Sequence, residues 1–150
     1  MKILFRAVVV IAAILGGISG SAAECYLPWN ARPDLRVLWL QKDCRYWFPQ
    51  RAGFAGRPKA IVLRRGIVID RFGQPGGNFL APADASYMGR AVPYDRFKLP
   101  YYRYEVAKPL RVQAGKAAPW FGQPGGGMQY KTAVPVKALV DGGHLRQIWW

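Results

Sequence analysis

Three polar side chains with the chemistry to bind a nucleotide lie between residues 71 and 129: Arg71, Arg90 and Gln129. Guanidinium groups form paired hydrogen bonds with phosphate oxygens, and an amide can hydrogen-bond a sugar hydroxyl or a water molecule. Aromatic residues that can stack on flat heterocycles accompany them, namely Phe72, Trp120, Phe121 and Tyr130. These types fit a ligand containing a pyrophosphate. They also fit ordinary turns and core aromatics, and residue types alone slightly favour that second interpretation.

Two matching glycine-rich hexapeptides, Phe72–Gly77 and Phe121–Gly126, border these candidates. Each reads Phe-Gly-Gln-Pro-Gly-Gly, a composition that predicts a tight turn whose backbone can approach a ligand closely. Arg71 precedes the first copy and Gln129 follows the second. Because the flanking sequences differ, the repeat does not indicate a duplicated domain or a solenoid. We expect two turns that meet at one site.

Conventional acid–base hydrolysis is disfavoured by the sparse carboxylates. Beyond the first fifty residues there are only five, and none forms an obvious pair: Asp70, Asp84, Asp95, Glu105 and Asp141. The single histidine, His144, borders a double-glycine turn, where we expect a structural or solvent-facing role. No histidine and cysteine cluster has the spacing of a metal site.

The elements that must position these residues are mostly strands. Strand-like segments have β-branched or alternating residues and cover 60–63, 67–72, 101–106, 110–113 and 144–149. A short helix or strand is expected over 35–40, and a short helix near 134–140 that starts at a proline and stops at glycines. The sequence therefore predicts an α+β fold, a compact strand-rich single domain with a twisted central sheet and few short helices.

The N-terminus has the features of a signal peptide. Lys2 and Arg6 precede an apolar run, and small residues end at Ala23, which predicts cleavage there and export to the periplasm or the exterior. The run is too short to favour a retained membrane span, so we expect no stable membrane insertion. The mature chain divides into an N-terminal layer, residues 24–58, and a second region, residues 59–150, that contains the candidate site residues; we expect the two to pack as one unit.

An exported chain with two cysteines, Cys25 and Cys44, predicts a disulfide that staples the N-terminal layer. The chain also has 22 basic against 8 acidic residues, which favours anionic partners. Because the basic residues are spread out and not gathered in dense blocks, we do not expect nucleic-acid binding.

From Asp70 to about Gln147 the chain resembles the tuberculosis necrotizing toxin-like (TNT) family of NAD glycohydrolases. The stretches that carry the resemblance are 70–82, 90–93, 104–110, 118–130 and the Leu139 to Gly143 terminus. The glycine-rich block that ends in Gln129-Tyr130 is the most specific of them. The family's histidine has no counterpart in this chain, where its position falls near Tyr101 and Tyr102.

The resemblance implies cleavage of NAD+, and of NADP+ in several members, at the bond between nicotinamide and ribose, with no cofactor and no metal. It also implies a toxin or effector role and a cognate immunity protein as partner. By the same resemblance the catalytic residues are Gln129, Arg71 and Arg90. The implied substrate-binding residues are Phe72, Gly73, Trp120, Phe121, Gly126, Gly127, Tyr130 and Tyr102.

The sequence leaves two alternative functions open. An ADP-ribosyltransferase would need a glutamate near the acceptor, and Glu105 on a predicted core strand suits that role poorly. A basic, disulfide-stapled module that binds polyanions would explain the charge but not the paired glycine turns.

Overall fold

The computed structural model describes residues 24–149; the predicted signal peptide, residues 1–23, lies outside this range. Seven strands form one antiparallel sheet, and one short helix, α1 (Val136–Asp141), follows β6 in the chain. The strands are β1 Lys59–Leu63, β2 Val68–Phe72, β3 Phe79–Pro82, β4 Tyr101–Val106, β5 Leu110–Lys116, β6 Met128–Lys131 and β7 Leu145–Ile148. Four 3-10 turns are also present in the described residues, at Val37–Trp39, Arg51–Gly53, Met88–Arg90 and Arg96–Lys98.

The order of the strands across the sheet is β1-β5-β6-β3-β2-β4-β7. At its centre β6 therefore lies beside the consecutive strands β3 and β2, from which it is distant in sequence. Leu80 of β3 pairs with Tyr130 of β6, and Ile69 of β2 pairs with Pro82 of β3. This arrangement brings the ends of the two glycine-rich stretches onto adjacent strands.

The main core lies between α1 and one face of the sheet. Val136 and Leu139 of the helix pack with Ile69, Tyr104 and Leu145, all of which are buried. Side chains alternate between the two faces of a strand, so Asp70 and Phe72 lie on the face opposite to Ile69. Because Ile69 faces the core, Asp70 and Phe72 point away from the core.

A second, aromatic core joins the N-terminal layer to the rest of the chain. Phe121, only 1% exposed, contacts Trp39, Tyr46 and Phe48 edge-on at ring-centre distances below 6 Å. Cys25 and Cys44 form the predicted disulfide. The layer is therefore held by one covalent bond and by aromatic packing on the loop that contains the second hexapeptide.

The strand predicted at 101–106 is present with those bounds, and the other predicted strands are present with bounds that differ by one to three residues. The helix predicted at 134–140 starts two residues later and ends one residue later. Strands β3 and β6 were not predicted. Both are only four residues long, and each adjoins glycine-rich sequence that is more typical of loops. Within residues 24–149, no helix has the length and apolar character needed to cross a membrane.

Candidate active site

A cleft of about 480 Å³ opens above the centre of the sheet. Its floor comes from β2, β3 and β6, and its walls come from the N-terminal layer and from the segment between β3 and β4. Four of the predicted site residues line it together: Arg71, Phe72, Arg90 and Gln129. The remaining lining residues are Phe48, Pro49, Ala52, Gly53, Phe79, Leu80, Ala81, Tyr87, Ala91, Val92, Tyr94, Leu99, Ala118 and Lys131.

Arg71 ends β2 and folds its side chain over the first glycine-rich turn. Its Nε donates to the carbonyl of Gln74 and its Nη1 to that of Phe79, both at 2.7 Å. Gly77 lies directly against this guanidinium, and a Cβ at that position would collide with it. Burial lowers the pKa of Arg71 from its ordinary value. The guanidinium thus closes the turn on itself, and the rest of its five donors remain for a ligand.

Arg90 is held by a carboxylate that sequence reasoning had set aside. Asp70, 1% exposed, forms an ion pair with it, at 2.6 Å between Nη1 and Oδ1 and 2.8 Å between Nη2 and Oδ2. The Tyr101 hydroxyl donates to the same carboxylate at 2.9 Å. Burial, and then this hydrogen bond, raise the pKa of Tyr101 to about 12, so the hydroxyl keeps its proton. Asp70 does have a partner, but it is an arginine and not a second acid.

The same arginine also supports the aromatic wall of the cleft. Its Cζ lies 5.0 Å from the centre of the Phe72 ring, a cation–π contact. Tyr87 and Tyr101 pack on the Phe72 ring from the sides, at 4.8 and 4.5 Å between ring centres. These contacts fix the ring in one orientation. Phe72 is thereby a rigid apolar surface suited to a flat ring.

Gln129 lies on β6, partly buried, and its side-chain amide faces the cleft. Its Nε2 is buried and has no hydrogen-bond partner in residues 24–149. A Cβ at Gly53 would lie 3.7 Å from that nitrogen, so the N-terminal layer reaches close to it. The Nε of Arg90 is a second buried donor without a partner in this part of the chain. Buried donors are normally paired, so two of them in one cleft indicate acceptors supplied by a ligand or by water.

The aromatic residues of the second turn do not line the cleft. Phe121 is enclosed in the aromatic core, so its predicted contact with substrate is not supported: a ring 1% exposed has no face to offer. Trp120 packs on Trp39 and Trp47 and donates its indole N–H to the Trp47 carbonyl. Both residues hold the N-terminal layer in place.

The other predicted contacts also lie outside the cleft lining. Tyr102 and Tyr130 pack on the main core, and Tyr130 alternates along β6 with Gln129 and Lys131, which line the cleft. Gly73 bonds its N–H to the Pro100 carbonyl. Gly127 stacks on Gly89 with no room for a Cβ at either residue, and Gly126 belongs to the same turn. The two turns therefore differ: the first borders the cleft directly, and the second supports the strand that carries Gln129.

Sequence reasoning missed the residues that complete the cleft. Tyr87 and Tyr94, whose pKa values burial raises, come from the long segment between β3 and β4. Phe48 comes from the N-terminal layer. Lys131 was detectable in principle, since it lies two residues after Gln129 and so faces the same side of β6.

The cleft contains no carboxylate, and the described residues contain no group of three or more His, Cys, Asp or Glu side chains placed to hold a metal ion. What it offers is guanidinium groups, an unpaired amide, aromatic faces and one ammonium. This set can bind phosphate oxygens and a flat ring, and it can orient a water molecule. None of its lining side chains is a carboxyl group or an imidazole, the commonest general acids.

Comparisons with known proteins agree with this chemistry. The family model for "Tuberculosis necrotizing toxin" matches residues 62–148, more than half of the chain. The conidial surface nicotinamide adenine dinucleotide glycohydrolase nadA of Aspergillus fumigatus is 40% identical over 116 residues, which cover 69% of this chain and 50% of the relative. The chain thus spans about half the length of that curated protein.

A solved structure gives the same result for the fold. The tuberculosis necrotizing toxin, in complex with its immunity factor IFT, superposes with a TM-score of 0.58 at 25% sequence identity. The match covers 72% of this chain and 65% of that one. The resemblance noted in the sequence is confirmed, and the chain belongs to the tuberculosis necrotizing toxin family.

Proposed function

We propose that the protein is an NAD+ glycohydrolase that releases nicotinamide from NAD+ and leaves ADP-ribose. The observation that carries the proposal is the cleft itself. Arg71, Phe72, Arg90 and Gln129 come from three separate parts of the sequence and line one cavity, and the Gln129 Nε2 has no hydrogen-bond partner within residues 24–149. The Aspergillus relative bears the name of this activity, and all four residues lie within residues 62–148, the part of this chain that the family model matches.

The reaction explains why a cleft without an acid suffices. The bond between C1′ of the ribose and the ring nitrogen of nicotinamide breaks, and its electron pair goes to that nitrogen. Because the nitrogen starts with a positive charge, nicotinamide leaves neutral and needs no proton. A water oxygen then bonds to C1′ and gives its proton to the solvent. The protein has to hold the dinucleotide, expose C1′ and place the water.

Each cleft residue suits one of these tasks. The rigid Phe72 ring can pack on nicotinamide, and the Arg71 guanidinium can bind a phosphate with the donors that its turn does not use. Gln129 has a free amide that can bond the nicotinamide-side ribose or orient the attacking water. Arg90 supports Phe72 and offers its unpaired Nε to the substrate.

Transfer of ADP-ribose to a protein is less well supported. It would require a carboxylate beside the reacting carbon, and the cleft lining has none. Glu105 is bound by Arg146 at 2.6 Å on the β4–β7 edge of the sheet. Free ADP-ribose as the product, with no protein labelled, distinguishes hydrolysis from transfer.

We also propose the wider setting that the family suggests. We expect the fold to belong to the α+β class, with a sheet of the ADP-ribosyltransferase type. We also expect the N-terminal layer to pack with the catalytic region, residues 59–150, as one unit. The named relative is a conidial surface protein, and the solved toxin carries an immunity factor. We therefore expect export by cleavage after Ala23 and an inhibitory partner for this chain.

The test compares Gln129→Ala with Gln147→Ala. Gln147 lies on β7 and does not line the cleft, so its variant controls for the loss of an amide from a strand. We expect Gln129→Ala to lower kcat for nicotinamide release by about a hundredfold, the effect of losing one positioned hydrogen-bonding group. Gln147→Ala should retain normal turnover. Equal turnover by both folded variants would contradict the assignment of Gln129.

A further inference from the structure

We propose that Lys131, together with Arg51 and Arg57, forms the subsite that binds the diphosphate of the dinucleotide. This inference rests on the proposed function and assigns part of the same site. A basic groove of about 570 Å³, lined by Arg51, Ala52, Phe54, Arg57, Pro58, Gln113 and Lys131, adjoins the cleft. Ala52 and Lys131 line both cavities, so the groove and the cleft are continuous there.

The charges of the chain identify this groove as an anion site. The protein has eight carboxylate side chains, and all of them lie in the described residues. Six form ion pairs with arginine or lysine, namely Asp34, Asp43, Asp70, Asp84, Glu105 and Asp141. Asp95 caps a 3-10 turn, and Glu24 accepts from Tyr26. None lines the groove, so no carboxylate side chain is placed to neutralise its three cations.

The cleft's own arginines are less available for phosphate than their positions suggest. Arg90 is neutralised by Asp70, which takes both of its Nη groups. Arg71 already donates two hydrogen bonds to backbone carbonyl groups of its turn. Lys131 is only partly buried and has no such partner among the ion pairs and hydrogen bonds of residues 24–149. It is therefore the cleft cation best placed to meet a negatively charged group.

The spacing along β6 fits the geometry of the substrate. Lys131 lies two residues after Gln129 on the same face of the strand, which separates them by about 7 Å. In NAD+ the diphosphate is attached to the ribose whose C1′ reacts. If Gln129 binds that ribose or the attacking water, the diphosphate must lie about the length of one ribose from Gln129. Lys131 lies at about that distance.

The backbone of the N-terminal layer supports the same location. Arg51, Ala52 and Gly53 have φ angles of 54°, 53° and 79°, three consecutive residues in the left-handed region. Left-handed backbone is unfavourable for arginine and alanine, and such strain concentrates at ligand-binding positions. Here it places Arg51 at the groove and Gly53 beside the Gln129 amide. This turn precedes residue 62, where the family match begins, so the subsite draws on chain outside that match.

The experiment measures ADP-ribose binding by calorimetry and NAD+ turnover on protein purified from expression of the full chain. The variants are Lys131→Gln, the pair Arg51→Gln with Arg57→Gln, and the control Arg65→Gln. Arg65 lies in the turn after β1, at the opposite end of that strand from Pro58. We expect Lys131→Gln to weaken ADP-ribose binding at least tenfold and to raise KM for NAD+ similarly, with kcat within about twofold, because one charge-assisted phosphate contact is lost.

The paired arginine variant should weaken binding less, by about threefold to tenfold, because its side chains are exposed. Arg65→Gln should bind as the wild type does. Lys131→Gln that binds ADP-ribose normally would overturn the subsite, even if the wild type hydrolyses NAD+. Loss of binding in Lys131→Gln with no nicotinamide release from the wild type would uphold the subsite and overturn the proposed reaction.

Discussion

Removing the charge of Asp70 should both destabilise the protein and slow its reaction. The Asp70→Asn substitution keeps the shape of the side chain but leaves the Arg90 guanidinium without a counter-ion. The two groups are 1% and 12% exposed, so solvent cannot replace the lost partner. Breaking such a buried pair costs about 3 kcal/mol or more of unfolding free energy, because one charge stays buried and uncompensated.

Two further variants provide smaller expected losses of unfolding free energy with which Asp70→Asn can be compared. Tyr101→Phe removes only the hydroxyl that donates to Asp70 and should cost about 1 kcal/mol. Asp141→Asn is the matched control. Asp141 pairs with Lys137 on the exposed side of α1, with side chains 60% and 67% exposed, and its loss should cost less than about 0.5 kcal/mol. Urea unfolding followed by tryptophan fluorescence measures all three.

The activity of the same variants separates fold from function. Asp70→Asn should lower kcat/KM for NAD+ at temperatures where it is still folded, because Arg90 loses its fixed position beside Phe72. The double variant Asp70→Asn with Arg90→Gln removes both charges and should recover part of the stability without recovering the activity. An Asp70→Asn protein within about 0.5 kcal/mol of the wild type would refute the reasoning.

Three further predictions concern other parts of the molecule. Phe121→Ala should cost about 3–5 kcal/mol of unfolding free energy, whereas Phe97→Ala, at an 83% exposed position, should leave the urea midpoint unchanged. Replacing both Cys25 and Cys44 by serine should lower stability by about 3 kcal/mol; an unchanged melting temperature would show that the disulfide does not hold the N-terminal layer. The kcat/KM profile should be flat from about pH 6 to pH 9, because burial raises the pKa of Tyr87 and Tyr94 and the only histidine lies outside the cleft lining; a titrating limb within that range would contradict this reasoning.

The sequence predicted best where one signal was strong and local. Strand β4 alternates along Tyr101–Val106, and β2 is rich in β-branched residues, so both were identified. Strand β6 was missed because three glycines precede it and only four residues form it. Its existence depends on pairing with β5 and β3, which are distant in sequence and leave no local pattern.

Contacts between residues that are distant in sequence also limited the prediction of the site. Arg71, Phe72 and Gln129 could be named because they border the glycine-rich hexapeptides, and Arg90 because residues 90–93 resemble a stretch of the family. Phe72 and Phe121 each begin the same hexapeptide, yet one borders the cleft and the other is enclosed in a core. Only the packing of the N-terminal layer on the second turn makes that difference.

Lys131 shows the opposite case, a cation that directly follows the glycine-rich block but belongs to no motif itself. We single it out because every carboxylate side chain of the chain has a partner elsewhere and none lines the groove at Lys131 to neutralise it. This can be recognised only when the ion pairs of the structure are known. A net positive charge in the sequence indicates an anionic partner but does not say where it binds.

The most direct test of the central claim is the product analysis of one reaction. The purified protein is incubated with NAD+, and nicotinamide, ADP-ribose and protein-bound ADP-ribose are quantified together. A glycohydrolase gives nicotinamide and free ADP-ribose in equal amounts, with no labelled protein. Folded protein that releases no nicotinamide, or that sends the ADP-ribose to a protein acceptor, would contradict the assignment.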